Sequence, residues 1–247
     1  MAPDPIGYII MGILPYVAIS FFIIGIIYRI FIWIRSPPAA NKFTVFPGTS
    51  SNGKYSIELT KELAFFPRIF KVDKKLWIGA WVLHYGLLMT LVGHTRLLFE
   101  WQLLWDLLGF NNDIRDTVAM ISGSLAGIIV LSAVIYLLGR RLSGTMAKMS
   151  NLEDYFVLAL FLGIGLTGMY MRLFVDHIEL QEFRDYLFDI LTLQSPSVYP
   201  DIGPVFLIHL LLVLLAVAII PYTKLFHLGG VFVTMRLSKL HLKESNV

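Results

Sequence analysis

Four histidines lie within two long apolar stretches of the sequence, where ionisable side chains are uncommon. His84 and His94 fall in VLHYGLLMTLVGHTRLL, and His209 and His227 begin and end HLLLVLLAVAIIPYTKLFH. An ionisable group inside a membrane costs free energy, so such groups pair, line a cavity or bind a ligand. Neutral imidazole is an axial ligand of haem iron, and two imidazoles complete a six-coordinate haem. Four histidines on two helices therefore predict two haem groups.

The composition is typical of an integral membrane protein. The chain has 247 residues, of which 57% are hydrophobic and 15% charged, and its mean hydropathy is +0.72. Soluble domains carry about 25% charged residues, so we predict a single all-α membrane domain over 1–247, in the lipid bilayer of the cytoplasmic membrane. There is no cysteine to ligate an iron–sulfur cluster. Nothing in the sequence predicts a nucleic-acid partner, and the N-terminus, which lacks basic residues, reads as a retained span.

Five apolar runs come close to the roughly 20 residues that cross the hydrocarbon core of a bilayer. They cover about 6–34, 76–99, 116–139, 153–176 and 202–227. Basic residues concentrate in the 35–75 loop, after the third run and in the C-terminal tail, whereas the other two loops are acidic. The positive-inside rule then predicts a five-transmembrane-helix bundle with the N-terminus outside and the C-terminus cytoplasmic.

Depth in the membrane pairs the histidines across the second and fifth runs. These runs are predicted to cross in opposite directions, so His84 and His227 lie near the cytoplasm, and His94 and His209 near the outer face. Helical geometry places His209 and His227 on one face and puts His94 about 80° from His84. Their separations along the axes differ, at about 15 Å and 27 Å. Helix tilt, a kink at Pro221 or a helix that ends before His227 would each reduce this difference.

Other classes of protein are compatible with buried histidines. A proton-relaying transporter would need acidic residues in mid-span and interrupted helices, and a structural anchor would not need paired histidines. A zinc or non-haem iron site would need carboxylates or further histidines nearby, which these two runs do not supply at mid-depth. Of the other histidines, His177 is predicted to be interfacial and His241 to be solvated.

The two histidine-bearing stretches, LHYGLLMTLVGH and HLLLVLLAVAIIPYTKLFH, resemble the haem-binding helices of the respiratory nitrate reductase gamma-subunit family of membrane cytochromes b. ILPYVAISFFIIGIIYR and LLGRRL resemble its first helix and the inner end of its third, so the likeness covers most of the chain. The resemblance implies two haem b groups between the second and fifth of five helices, quinol oxidation near the outer haem and electron transfer to a cytoplasmic iron–sulfur partner. It assigns His84 and His227 to the inner iron, and His94 and His209 to the outer one.

One further stretch, FFPRIFKVDKKLWIGAW, resembles the cytochrome b subunit of the Hdr-like menaquinol-oxidising enzyme, the DsrMKJOP complex of sulfate reducers. This resemblance implies menaquinol as the substrate and a place in dissimilatory sulfate or sulfite metabolism. It also implies a cytoplasmic iron–sulfur subunit of the heterodisulfide reductase type, an outer multihaem cytochrome c, an outer iron–sulfur protein and a second membrane subunit. A nitrate reductase gamma subunit or a heterodisulfide reductase cytochrome b is the alternative, and the longer first loop argues against the former.

Gly93, His94, Arg115 and Asp116 are the candidates for a quinol site. They fall at the predicted outer ends of the second and third runs, and quinol oxidation needs a polar group to take up protons. By resemblance, Arg115 aligns with a quinol-site lysine of the nitrate enzymes. The plainer interpretation is that Arg115 and Asp116 form a charge pair at a helix start.

Arginines beside the spans are candidates to pair with haem propionates. Arg96 and Arg172 are placed for the outer haem, and Arg140 and Arg141 would serve the inner haem or anchor a helix end. The glycine-rich stretches SGSLAG and GIGLTG would let helices, or the flat face of a cofactor, approach the backbone. The 35–75 loop and the C-terminal tail are the predicted docking surface for the iron–sulfur subunit.

Overall fold

A computed structural model describes residues 4–35, 52–175, 180–201, 203–227 and 229–230. These ranges are mostly helical and contain no β-strand. Five helices are long and apolar enough to cross a membrane, which confirms the predicted number of spans. These first to fifth spanning helices are Pro5–Arg35, Lys74–Leu97, Asn112–Arg141, Leu152–Phe174 and Pro204–Tyr222. His177, His241, most of the tail and residues 36–51 of the first loop lie outside the described residues.

The fifth spanning helix ends earlier than predicted. Its α-helical part is Pro204–Ile219, and a 3-10 turn, Ile220–Tyr222, follows. Pro221 has no N–H to continue the helical hydrogen bonds, and its ring clashes with the carbonyl four residues earlier. The span predicted to reach residue 227 is therefore wrong at this end, and His227 lies beyond the helix.

The third and fourth spanning helices are joined through a short helix, Gly144–Met149, and a capped helix start. Asn151 and Asp154 form a capping box, in which each side chain accepts a hydrogen bond from the other residue's backbone N–H at 3.1 Å. The Nη1 atom of Arg141 lies 3.1 Å from the buried Asp154 carboxylate. Arg141 therefore anchors a helix end.

The chain divides into two compact units, which we describe separately. The first comprises Met1–Ile19 and Ile78–Val217, and the second comprises Ser20–Trp77 and Ala218–Val247.

Glycines set the helix packing of the first unit. A Cβ at Gly86 would lie 2.8 Å from Ile129, and a Cβ at Gly165 would lie 2.7 Å from Leu131. Because neither glycine has a side chain, the second and fourth spanning helices approach the third closely. The stretch GIGLTG thus serves helix packing, one of its two predicted uses.

An amphipathic helix, Leu180–Leu191, crosses a region predicted to be an acidic loop. Its apolar face buries Phe183, Tyr186 and Ile190 against Met11 and Phe206. The Tyr186 hydroxyl donates a hydrogen bond of 2.8 Å to the Met11 carbonyl, which satisfies a polar group in this core. This helix therefore belongs to the packed body of the first unit.

In the second unit, two short helices precede the second spanning helix. They are Asn52–Phe65 and Pro67–Val72, within the stretch predicted to be a loop. The Trp77 indole donates a hydrogen bond of 2.6 Å to the Phe65 carbonyl. This bond ties the first short helix to the start of the spanning helix.

Candidate functional site

His84 and His94 lie on the second spanning helix, and each ring is held by the preceding turn. The Nδ1 atom of His84 lies 2.7 Å from the Ala80 carbonyl oxygen, and that of His94 lies 2.7 Å from the Thr90 carbonyl oxygen. A carbonyl oxygen only accepts hydrogen bonds, so Nδ1 is the donor in both rings. His84 is half-buried, whereas His94 is exposed at the last α-helical residue.

His209 is half-buried where the fifth spanning helix meets the fourth. Its Nδ1 atom lies 2.9 Å from the Thr167 hydroxyl oxygen, which lies 2.8 Å from the Gly163 carbonyl. A hydroxyl has one hydrogen. Because Thr167 donates it to a carbonyl, its oxygen accepts from His209 Nδ1. A Cβ at Gly168 would lie 3.2 Å from Cε1 of His209, so the ring lies against the backbone of the fourth helix.

His227 belongs to the second unit and lies after the 3-10 turn Lys224–Phe226. Its Nδ1 atom lies 2.9 Å from the Lys224 carbonyl oxygen, so Nδ1 is again the donor. The Nε atom of Arg29 donates a bond of 2.7 Å to the Pro221 carbonyl, which has left the helical pattern. Arg29 therefore connects the first spanning helix to the segment that leads to His227.

All four rings use Nδ1 as a hydrogen-bond donor. In a neutral imidazole this leaves the lone pair on Nε2, and metal-ligating histidines are oriented in this way by a carbonyl or another acceptor. The donor set therefore fits haem iron, which takes two protein ligands of this kind. Among the described residues, no three His, Asp or Glu side chains come together to hold a single ion.

Three of the four candidate ligands, His84, His94 and His209, lie in the first unit. The binding of one iron by His94 and His209 stays a prediction from the sequence. The pairing of His84 with His227 stays a prediction from the sequence.

An ion-pair network follows directly after His94. The Glu100 carboxylate accepts hydrogen bonds from Trp105 Nε1 and Arg184 Nη2 at 2.7 Å, and from Arg96 at 3.2 and 3.3 Å. Burial alone would raise the pKa of Glu100, but the hydrogen bonds and the charge of Arg96 hold it below its usual value. Arg184 also donates to the Arg96 carbonyl. The network fixes the chain two residues beyond His94.

The quinol-site candidates have separate partners. Arg115 donates a hydrogen bond of 3.0 Å to the Gln102 side chain. Asp116 lies 3.6 Å from Arg96 and is 76% exposed. A Cβ at Gly93 would meet no atom within 4 Å. The structure therefore connects Asp116, through Arg96, to the segment that carries His94, and connects Arg115 to the short helix Gln102–Leu108.

Replacement of Thr167 by valine is expected to weaken haem binding about 10- to 100-fold, because residues that hydrogen-bond to metal-ligating histidines have effects of this size. Valine keeps the side-chain shape but removes the hydroxyl oxygen that accepts from His209 Nδ1. The rate of haem transfer to apomyoglobin measures the change. The control is Thr192→Val, which removes a hydroxyl bonded to the Phe188 carbonyl just after the helix Leu180–Leu191. Unchanged haem transfer in T167V would contradict the assigned role.

Comparison with known proteins gives matches over most of the chain. The family described as nitrate reductase gamma subunit matches residues 69–239. The Hdr-like menaquinol oxidoreductase cytochrome b-like subunit of Archaeoglobus fulgidus is 28% identical, over 92% of this chain and 78% of the relative. The protein of the same name from Archaeoglobus profundus is 26% identical, over 89% of this chain and 75% of the relative.

Proposed function

Because the chain belongs to the nitrate reductase gamma subunit family, we propose that it is the dihaem cytochrome b subunit of a respiratory membrane complex. It passes electrons between a membrane quinol and a cytoplasmic iron–sulfur subunit. The family match and the five spanning helices support a multi-pass membrane protein with an electron-transfer role. The two Archaeoglobus relatives, named as menaquinol oxidoreductase subunits, support menaquinol as the quinol.

The observation that carries this proposal is that all four candidate ligands donate a hydrogen bond from the same ring atom, Nδ1. Each imidazole donates from Nδ1 to an oxygen, so in each neutral ring Nε2 carries the lone pair, and this is the atom that would bind iron. Bound haem supplies reversible one-electron transfer at its iron. His94 and His209 would hold the outer haem, and His84 and His227 the inner one. A proton relay is less well supported, because a backbone carbonyl does not pass on the proton that Nδ1 donates to it.

We further propose that protons leave the quinol at Asp116. Asp116 is exposed, lies beside Arg96 and follows Arg115, so it can accept a proton and release it to water. Gly93 leaves open space beside His94. We place the quinol ring near these residues, on the side predicted to face outward. Glu100 is a poorer acceptor, because its hydrogen bonds favour the ionised form.

The proposed partners follow from the relatives' names and from the resemblance. They are an iron–sulfur subunit of the heterodisulfide reductase type at the cytoplasmic 35–75 loop and tail, an outer multihaem cytochrome c, an outer iron–sulfur protein and a second membrane subunit. Such a complex would serve dissimilatory sulfate or sulfite metabolism. A nitrate reductase gamma subunit and a heterodisulfide reductase cytochrome b are the alternatives within the same class.

An optical spectrum of the purified chain, with a pyridine haemochrome assay, tests the proposal. We expect two b-type haems per chain and reduction of both by a menaquinol analogue. One haem would mean that one histidine pair is misassigned. A folded chain that binds no haem, when expressed with haem supplied, would overturn the cytochrome assignment and favour a proton-relay protein.

A further inference from the structure

Arg172 lies on the fourth spanning helix, about one turn beyond the residue that lies against the His209 ring. It follows Gly168, which contacts the His209 ring, by four residues, and so lies about 6 Å farther along nearly the same side of the helix. Its guanidinium reaches the third spanning helix, where it donates to the Ala119 carbonyl. A Cβ at Gly123 would lie 2.5 Å from Nη2 of Arg172. The missing side chain at Gly123 therefore provides the space that the guanidinium occupies.

A second arginine, Arg96, lies at the end of the second spanning helix, two residues beyond His94. Arg96 is already paired, with both oxygens of Glu100 at 3.2 and 3.3 Å and with Asp116 at 3.6 Å. Arg172 has no carboxylate within ion-pair distance in the part of the chain that the structure describes. Of these two cations, Arg172 is thus the better candidate to bind an added anion.

We propose that Arg172 binds a propionate of the haem held by His94 and His209, and that its charge raises the midpoint potential of this haem alone. This inference rests on the proposed function, and it assigns to Arg172 the role of binding an anionic group of the outer haem. A guanidinium presents five N–H donors in a planar fork that matches a carboxylate, and the Ala119 carbonyl uses only part of this capacity. Arg172 is exposed two residues before the end of the fourth spanning helix, so its guanidinium is accessible to an added anion.

The electrostatic consequence has a definite sign. A positive charge near a haem opposes the additional positive charge of the ferric state and therefore favours the reduced state. Removal of this charge is expected to lower the midpoint potential of the neighbouring haem. A purely structural role in helix packing would change haem content or stability without a charge-dependent shift.

The test is a spectroelectrochemical titration of the purified full-length holoprotein. Arg172→Gln is expected to lower the midpoint potential of one haem and leave the other unchanged, whereas Arg172→Lys, which keeps the charge, is expected to restore most of the wild-type value. Arg172→Met serves as a second neutral variant should the glutamine variant fail to fold. Arg68→Gln is the charge-matched control at the Glu62 ion pair, outside the spans, and is expected to shift neither haem.

The same substitution in the His94→Ala chain assigns the affected haem. We expect the single remaining haem to keep its potential when Arg172 is also replaced by glutamine. Two haems with unchanged potentials in both neutral variants would overturn the role of Arg172 and leave the proposed function intact. An equal shift in the lysine variant would also overturn it, because the charge would then not be the cause. Absence of haem from the wild-type chain would instead reject the proposed function.

Discussion

Replacement of His94 by alanine is expected to reduce the haem content from two to one per chain and to abolish reduction by quinol. Alanine has no ligand atom, and a haem held by His209 alone would lose its second protein ligand. The site where quinol is proposed to react would then have no electron acceptor. The measurements are a pyridine haemochrome assay and the rate of haem reduction after addition of a menaquinol analogue.

His241→Ala is the matched control, because this histidine is predicted to be solvated and should leave both haems in place. His209→Ala is expected to give the same spectrum as His94→Ala, since each removes one ligand of the same iron. His84→Ala and His227→Ala should likewise match each other and keep the haem that quinol reduces. Spectra that pair His84 with His209 would show that the ligand assignment is wrong. Retention of two quinol-reducible haems in His94→Ala would remove His94 from the site.

The sequence was sufficient to predict the number of spans, because a long apolar run depends on local composition alone, and the same composition suggests the candidate ligands. Twenty consecutive apolar residues are visible without any tertiary information, and so is a histidine within them. The end of the fifth span could also have been predicted from the sequence, since Pro221 removes a helical hydrogen bond. The sequence analysis considered a kink at Pro221, whereas the α-helix ends there. The consequence is that His227 follows a 3-10 turn rather than a continuous helix.

The contacts around the ligands could not be predicted in the same way. Thr167 and His209 are 42 residues apart, and Glu100 and Arg184 are 84 residues apart, so no local pattern connects them. The helix Leu180–Leu191 is a different case. Its apolar residues 183, 186, 187 and 190 follow the helical period, and the acidic residues between them led to its assignment as a loop.

Replacement of Glu100 by alanine is expected to destabilise the folded chain by about 2–3 kcal/mol, because two charged partners lose their common acceptor. The Arg96 and Arg184 side chains are only 17% and 21% exposed, so water does not fully replace the carboxylate. This cost corresponds to a fall of roughly 4–12 °C in the unfolding temperature. Thermal unfolding followed by the haem Soret band would measure it. Asp185→Ala, which removes an exposed carboxylate bonded to Gln181, is expected to change stability by less than about 0.5 kcal/mol.

The contribution of Glu100 should also depend on pH. Its pKa is lowered in the folded chain, so its stabilising effect is present above the pKa of the unfolded state and is lost as the pH falls through the lower folded value. The difference in stability between wild type and Glu100→Ala should therefore shrink on acidification.

Glu100 also binds Arg184, and Arg184 donates hydrogen bonds to the backbone carbonyl of Arg96. The alanine variant should therefore also lose haem preferentially from the His94 site. An unfolding temperature equal to that of the wild type would show that the network does not hold this end of the second spanning helix.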